Sequence, residues 1–193
     1  MMRITHIVKH LLIINVIVFI GLQLLLNSNF AVLDYFLLYP PATGNFKPVQ
    51  LVTYMFTHLD TSHIFFNMLV LFFLGPMVES ALGPKRFLIL YLAAGIAGGV
   101  AQMFLSAGAP SLGASGATMG VTLAFAGMFP NMRLMLLFPP IPMKAKYLAA
   151  IIVGIDLFSG ISGASTGIGH FAHLAGAAMG FLLVLYWGKL NLR

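Results

Sequence analysis

Between Phe87 and Met132 the chain carries no Asp, Glu, Lys or Arg, and further uncharged runs extend from Leu11 to Leu33 and from Thr61 to Val78. A helix needs about 18–20 apolar residues to cross the hydrocarbon core of a bilayer, so two of these runs hold one span each and the longest holds two. Charged residues make up 7% of the chain, against about 25% in soluble domains, and the mean hydropathy is +1.00. A water-soluble fold is excluded. A β-barrel is excluded too, because its strands alternate apolar and polar residues whereas these runs are apolar at successive positions. The sequence describes an all-α polytopic membrane protein, read as a single transmembrane domain over residues 1–193.

The 193 residues include no cysteine, so neither a disulfide nor a thiolate nucleophile or ligand is available. The net charge of +6 is read as orientation in the bilayer rather than as nucleic-acid binding, because the basic residues cluster at helix ends. The first apolar run is too long for a signal peptide and no Ala-x-Ala site follows it, so it is expected to remain as a span.

Hydrophobic runs and breakers predict six helices near 9–27, 62–80, 86–106, 115–129, 145–159 and 169–187. Pro40-Pro41, Gly44-Asn45 and Pro48 forbid one long helix between the first two, and residues 28–61 are expected to form an interfacial loop rich in Phe, Tyr and Leu. Gly83-Pro84 separates the second helix from the third. Pro130 and Pro139-Pro140-Ile141-Pro142 separate the fourth from the fifth. Arg3, Lys9, Lys85, Arg86, Arg133, Lys144, Lys146, Lys189 and Arg193 all fall at the termini or in the 2–3 and 4–5 connections, leaving only Lys47 in the other set. By the positive-inside rule both termini are cytoplasmic.

That orientation brings chemistry to one level. The second, fourth and sixth helices all begin on the outer side; the second carries His63 in its first turn and Asn67 one turn deeper, the fourth opens with Ser115, and the sixth carries His170 and His173 in its first turn or so. A hydroxyl or imidazole in hydrocarbon is costly and needs a reason to be there. The fourth predicted helix spans only about 22 Å at 1.5 Å per residue, so the segment from Ser106 to Gly113 must dip into the protein to meet it. Irregular backbone at that depth is tolerated only where protein or a wet cavity surrounds it, which puts Ser115 at the floor of a water-accessible hollow. Gly116 with Gly120, and Gly176 with Gly180, are spaced to let two helix backbones approach closely. If those faces meet, Ser115 and His173 are brought within hydrogen-bonding reach, a nucleophile and its general base. His63, Asn67 and the backbone N–H of Ser115 are candidate donors to an oxyanion, with the positive end of the helix dipole beside them. No carboxylate is expected to complete a triad: Asp156 stands toward the outer end of the fifth helix, and Glu79 is assigned to capping near Arg86 or the Gly83 turn. Ala117 replaces the second glycine of a GxSxG elbow.

Gly113-Ala114-Ser115-Gly116-Ala117, His63-Ile64-Phe65-Phe66-Asn67, Val78-Glu79-Ser80-Ala81-Leu82-Gly83 and Ala172-His173-Leu174-Ala175-Gly176-Ala177-Ala178-Met179-Gly180 closely resemble the rhomboid family of intramembrane serine proteases. The resemblance runs from about Leu51 to Trp187. It implies a six-helix rhomboid-like bundle, a Ser115–His173 dyad without cofactor or metal, and His63, Asn67 and the Ser115 amide as oxyanion donors. It further implies transmembrane-helix substrates cut near the outer face of a cell (plasma or inner) membrane, the active site opening to the extracytoplasmic side. The fifth helix, with Gly154, and the segment near Gly160–Gly167 are assigned to the lateral gate on the same basis. Met119 stands where many members carry an aromatic residue against the histidine ring, and a sulfur–ring contact can replace it. His58 matches a position often polar in the family.

Two alternatives stand beside this reading. One is an inactive member of the same fold that binds or escorts membrane proteins. The other is a metalloenzyme using His58, His63, His170 and His173, although no HExxH motif occurs. A transporter is a weaker rival, because no pair of inverted halves is visible.

Overall fold

The computed structural model describes residues 3–26, 30–105, 109–135, 140–162 and 169–191. The chain runs through α1 (His6–Leu26), the short α2 (Gln50–Thr53), α3 (Thr61–Leu82), α4 (Pro84–Leu105), α5 (Ser115–Met128), α6 (Ala145–Ser162) and α7 (His170–Tyr186). Among the described residues, α1 and α3 to α7 begin and end within a turn of the helix ranges expected from sequence. The break between α3 and α4 follows from its two residues. Gly83 takes φ 81°, a conformation disfavoured for side-chain-bearing residues, and Pro84 opens α4, where its missing N–H costs nothing.

Among the described residues four helices, α1, α3, α4 and α6, are long and apolar enough to cross a membrane. α5 has 14 residues and α7 has 17. α5 packs most extensively on α7, then on α4 and α3, and nearly all of its residues are buried. A helix enclosed in this way meets protein rather than lipid, so its length need not match the hydrocarbon thickness. α1 and α6 lie at the periphery, with most of their aliphatic side chains outward.

One element was not foreseen. Arg133–Met135 (β1) pairs antiparallel with Pro142–Lys144 (β2), making a small ribbon between α5 and α6 where the prolines had suggested only a break. The assigned gate segment near 160–167 falls in part outside the described residues, from 163 onward.

The connection from α1 to α3 is held by polar side chains. Buried Gln50 donates to the carbonyls of Asp34 (2.7 Å) and Asn45 (3.0 Å) and accepts from the N–H groups of Lys47 (3.1 Å) and Tyr39 (3.3 Å). A single amide thereby satisfies backbone groups that the prolines and turns leave without ladder partners. Glu79 does cap, but not at the place expected. Its carboxylate accepts from the Thr5 hydroxyl and from the N–H groups of Ile7 (3.0 Å) and Val8 (2.9 Å) at the start of α1. An anion there suits both the orphan donors and the dipole of α1.

Candidate active site

α3 begins at a well-formed cap. Asp60 accepts from the N–H of His63 (2.7 Å) and from the Ser62 hydroxyl (2.6 Å), which satisfies a first-turn donor. One turn on, Asn67 is buried. Its amide donates one hydrogen to the His63 carbonyl (2.9 Å), and its oxygen accepts from the Thr118 hydroxyl of α5 (3.0 Å). The His63 carbonyl can only accept, so it fixes which end of the amide is which, leaving the second N–H of Asn67 uncommitted by these bonds.

The segment before Ser115 is fastened from several sides. Ser111 exchanges two backbone hydrogen bonds with Leu38 (both 2.9 Å), and the Gly113 N–H donates to the Tyr54 carbonyl (2.8 Å). The Ala114 N–H donates to Nε2 of His58 (3.3 Å). Gly113 has φ 112°, and a Cβ there would lie 2.7 Å from Nε2 of His63. Only glycine meets both demands. Ser115 follows as the first residue of α5, where its N–H has no intrahelical acceptor.

The glycines bring α5 against α7. A Cβ at Gly176 would meet the backbone of Gly116, 2.7 Å from the carbonyl carbon and 3.0 Å from Cα, while one at Gly180 would lie 2.6 Å from each of those atoms of Gly120. α4 joins the same knot: a Cβ at Gly98 would lie 2.7 Å from the Ala172 carbonyl oxygen. Gln102 of α4, not singled out from the sequence, accepts from the Ala172 N–H (3.1 Å) and so satisfies one donor in the first turn of α7.

These contacts enclose a cavity of about 890 Å³ whose lining includes His63, Asn67, Gln102, Ser115, Met119 and His173. Ser115 and His173, distant in sequence, open onto the same space, although among the described residues no hydrogen bond joins their side chains as the glycine spacing had suggested. Gly113 and Gly116 are also at its wall, whereas Gly120, Gly176 and Gly180 lie at the helix contact. His58 is fully buried behind the wall, its ring edge-on to His63 at 4.9 Å. The histidines named in the metal alternative fall into two pairs, His58 with His63 and His170 with His173. Among the described residues no three His, Asp or Glu side chains are arranged to hold a metal ion.

The expectation of a site without a carboxylate is overturned. Asp156 is buried, and its oxygens lie 3.2 Å each from Nδ1 of His173, with Oδ1 also 2.7 Å from Nδ1 of His170. On the linear map Asp156 stands far from both histidines. Packing of α6 on α7 brings them together. The available signal was energetic: a lone carboxylate within an apolar helix requires a partner.

Comparison with known proteins agrees with the sequence motifs. A Rhomboid domain model matches residues 45–190. The mitochondrial Rhomboid protein 1 of Saccharomyces cerevisiae is 32% identical over 152 residues, covering 73% of this chain and 42% of the relative. The human mitochondrial presenilin-associated rhomboid-like protein is 32% identical over 161 residues, 81% of this chain and 42% of its own length. The rhomboid protease GluP of Bacillus subtilis is 35% identical over 136 residues, 68% of this chain and 24% of the relative. The chain thus spans about half the length, or less, of these curated relatives.

Proposed function

The chain belongs to the rhomboid family, and on that premise we propose that it is an intramembrane serine endopeptidase acting on transmembrane-helix proteins. The observation that carries this reading is the shared cavity. Ser115, His173, His63 and Asn67 come from three helices and line one space, held there by glycines that allow no side chain between α5 and α7.

In the proposed mechanism Nε2 of His173 takes the Ser115 hydroxyl proton as Oγ attacks the scissile carbonyl. The tetrahedral oxyanion is met by the Ser115 N–H, by His63 and by the free N–H of Asn67. Donors of this kind are worth about 10²–10³ in rate each when aimed at the developing charge. His173 then gives the proton to the leaving amine, and water entering the cavity hydrolyses the acyl-enzyme. No cofactor is required. The charge pattern of the connections supports six spans with both termini in the cytoplasm, residues 1–193 forming one transmembrane domain in the plasma (or inner) membrane. The cavity then opens on the extracytoplasmic side, and substrates are cut near that surface.

The test uses the purified protein in proteoliposomes with a fluorescent reporter transmembrane helix. Ser115→Ala and His173→Ala are expected to abolish cleavage while melting like the parent protein. Cleavage by Ser115→Ala at the parent rate defeats the reading. A parent chain that binds the reporter without cutting it would favour the escort alternative.

A further inference from the structure

Resting on that reading, we propose that Asp156 is a positioning residue for catalysis: it holds His173 as the tautomer and in the orientation a general base needs, and His170 anchors the carboxylate that does so. Ser115 and His173 remain the reacting pair, and Asp156 acts on them only through the ring of His173.

The placement of Asp156 is the first argument. On α6 the buried residues are Ala145, Ala149 and Asp156. Around it Ile155, Leu157 and Phe158 face outward. The outer half of α6 therefore turns a carboxylate, and no apolar side chain, into the bundle. Burying that group in apolar surroundings is unfavourable unless it is hydrogen-bonded, and both imidazoles stand within hydrogen-bonding distance of it.

The second argument is the atoms involved. An ionised carboxylate only accepts hydrogen bonds, so each Nδ1 that faces it carries a proton. When His173 serves as the neutral base, this places the lone pair on Nε2, the ring nitrogen left for the Ser115 hydroxyl. The opposite tautomer would present an N–H to the nucleophile and could not take its proton. The two bonds also differ. His170 holds Oδ1 at 2.7 Å, whereas His173 is shared between both oxygens at 3.2 Å. The shorter bond fixes the carboxylate, and the longer, forked one tightens as His173 becomes imidazolium. The proton moves only between Ser115 Oγ, His173 Nε2 and the leaving amine; Asp156 stays ionised throughout.

The experiment compares Asp156→Asn and Asp156→Glu with the parent chain in proteoliposomes. Asparagine keeps the shape but offers an N–H that can favour the wrong tautomer. In soluble enzymes, losing this carboxylate lowers kcat by about 10⁴-fold; for a forked, longer contact we expect about 10²-fold. KM should stay within about twofold, the melting midpoint should be essentially unchanged, and Asp156→Glu should recover part of kcat. A kcat for Asp156→Asn within threefold of the parent, or a loss accounted for by unfolded protein, overturns the proposal. A second measurement needs no Asp156 variant to fold. In ¹⁵N-histidine spectra of the intact chain, with the His173 signal identified through His173→Gln, neutral His173 should be the Nδ1–H tautomer. An Nε2–H tautomer overturns the proposal. Ser115→Ala run in parallel separates the outcomes: if it still cleaves, the protease reading has failed, and if it alone is dead, only the role of Asp156 has.

Discussion

Gly176→Ala should move the proposed nucleophile and base apart without touching either. A methyl carbon at Gly176 would stand 2.7 Å from the carbonyl carbon of Gly116 and 3.0 Å from its Cα, and nearer still to its oxygen. Carbon atoms rest at about 3.5–4.0 Å, so the two helices must part locally by about 1 Å. The obstacle is backbone on both sides, and no rotamer change relieves it. Overpacking of this kind costs roughly 1–3 kcal/mol. His173 lies one turn before Gly176, and Ser115 immediately precedes Gly116, so the parting falls between the proposed nucleophile and the proposed base. A misplacement of about 1 Å costs on the order of 10² in rate. The control is Gly21→Ala on α1, where a Cβ meets nothing within 4 Å; alanine there should be neutral or stabilise by up to about 1 kcal/mol through helix propensity. Reporter cleavage and melting midpoints of both variants decide the matter. A Gly176→Ala protein with the parent kcat and midpoint, or a Gly21→Ala protein equally damaged, refutes the reasoning.

Further outcomes follow from other contacts. Thr118→Val removes the hydroxyl that orients Asn67; kcat should fall roughly tenfold, less than the 10²–10³ for deleting an oxyanion donor outright, and an unchanged kcat argues against Asn67 as that donor. Glu79→Gln removes the charge that caps α1 and should lower stability by about 1 kcal/mol with kcat unaffected, as melting and cleavage measured together will show. In the loop before α3, burial first and then the neighbouring His63 push the His58 imidazole down to about 4. The unfolded value is about 6.5, so the folded state binds fewer protons in between. The stability tied to neutral His58 is complete above pH 6.5 and is lost as pH falls toward 4, on the order of 3 kcal/mol. Melting from pH 8 to 4.5 should therefore decline more steeply for the parent than for His58→Gln, and equal slopes would contradict this origin.

What the sequence reveals here follows from what hydrocarbon demands. Uncharged runs, Gly83-Pro84 and the proline cluster delimit the helices because a bilayer leaves a backbone few other conformations. Ser115, His173, His63 and Asn67 stand out because polar groups in such runs are unfavourable without a purpose. The partners across helices were not legible. These helices are apolar on most sides, so periodicity does not say which face meets which. Asp156 consequently looked isolated on its helix, Glu79 was paired with its own neighbourhood instead of the start of α1, and the hydroxyl of Thr118 passed unnoticed. The α5–α7 contact was the exception, since paired glycines mark a close approach by the absence of side chains. The β1–β2 ribbon was hidden by prolines, which signal a break without saying what replaces the helix.

The most direct test of the central claim is chemical labelling of the nucleophile. A fluorophosphonate added to the parent chain in proteoliposomes should modify Ser115 alone, as located by peptide mass spectrometry. Labelling should vanish in Ser115→Ala and slow by at least about 10²-fold in His173→Ala, the lower end of what a general base contributes. Modification of a different serine, or an undiminished rate without His173, would contradict the account.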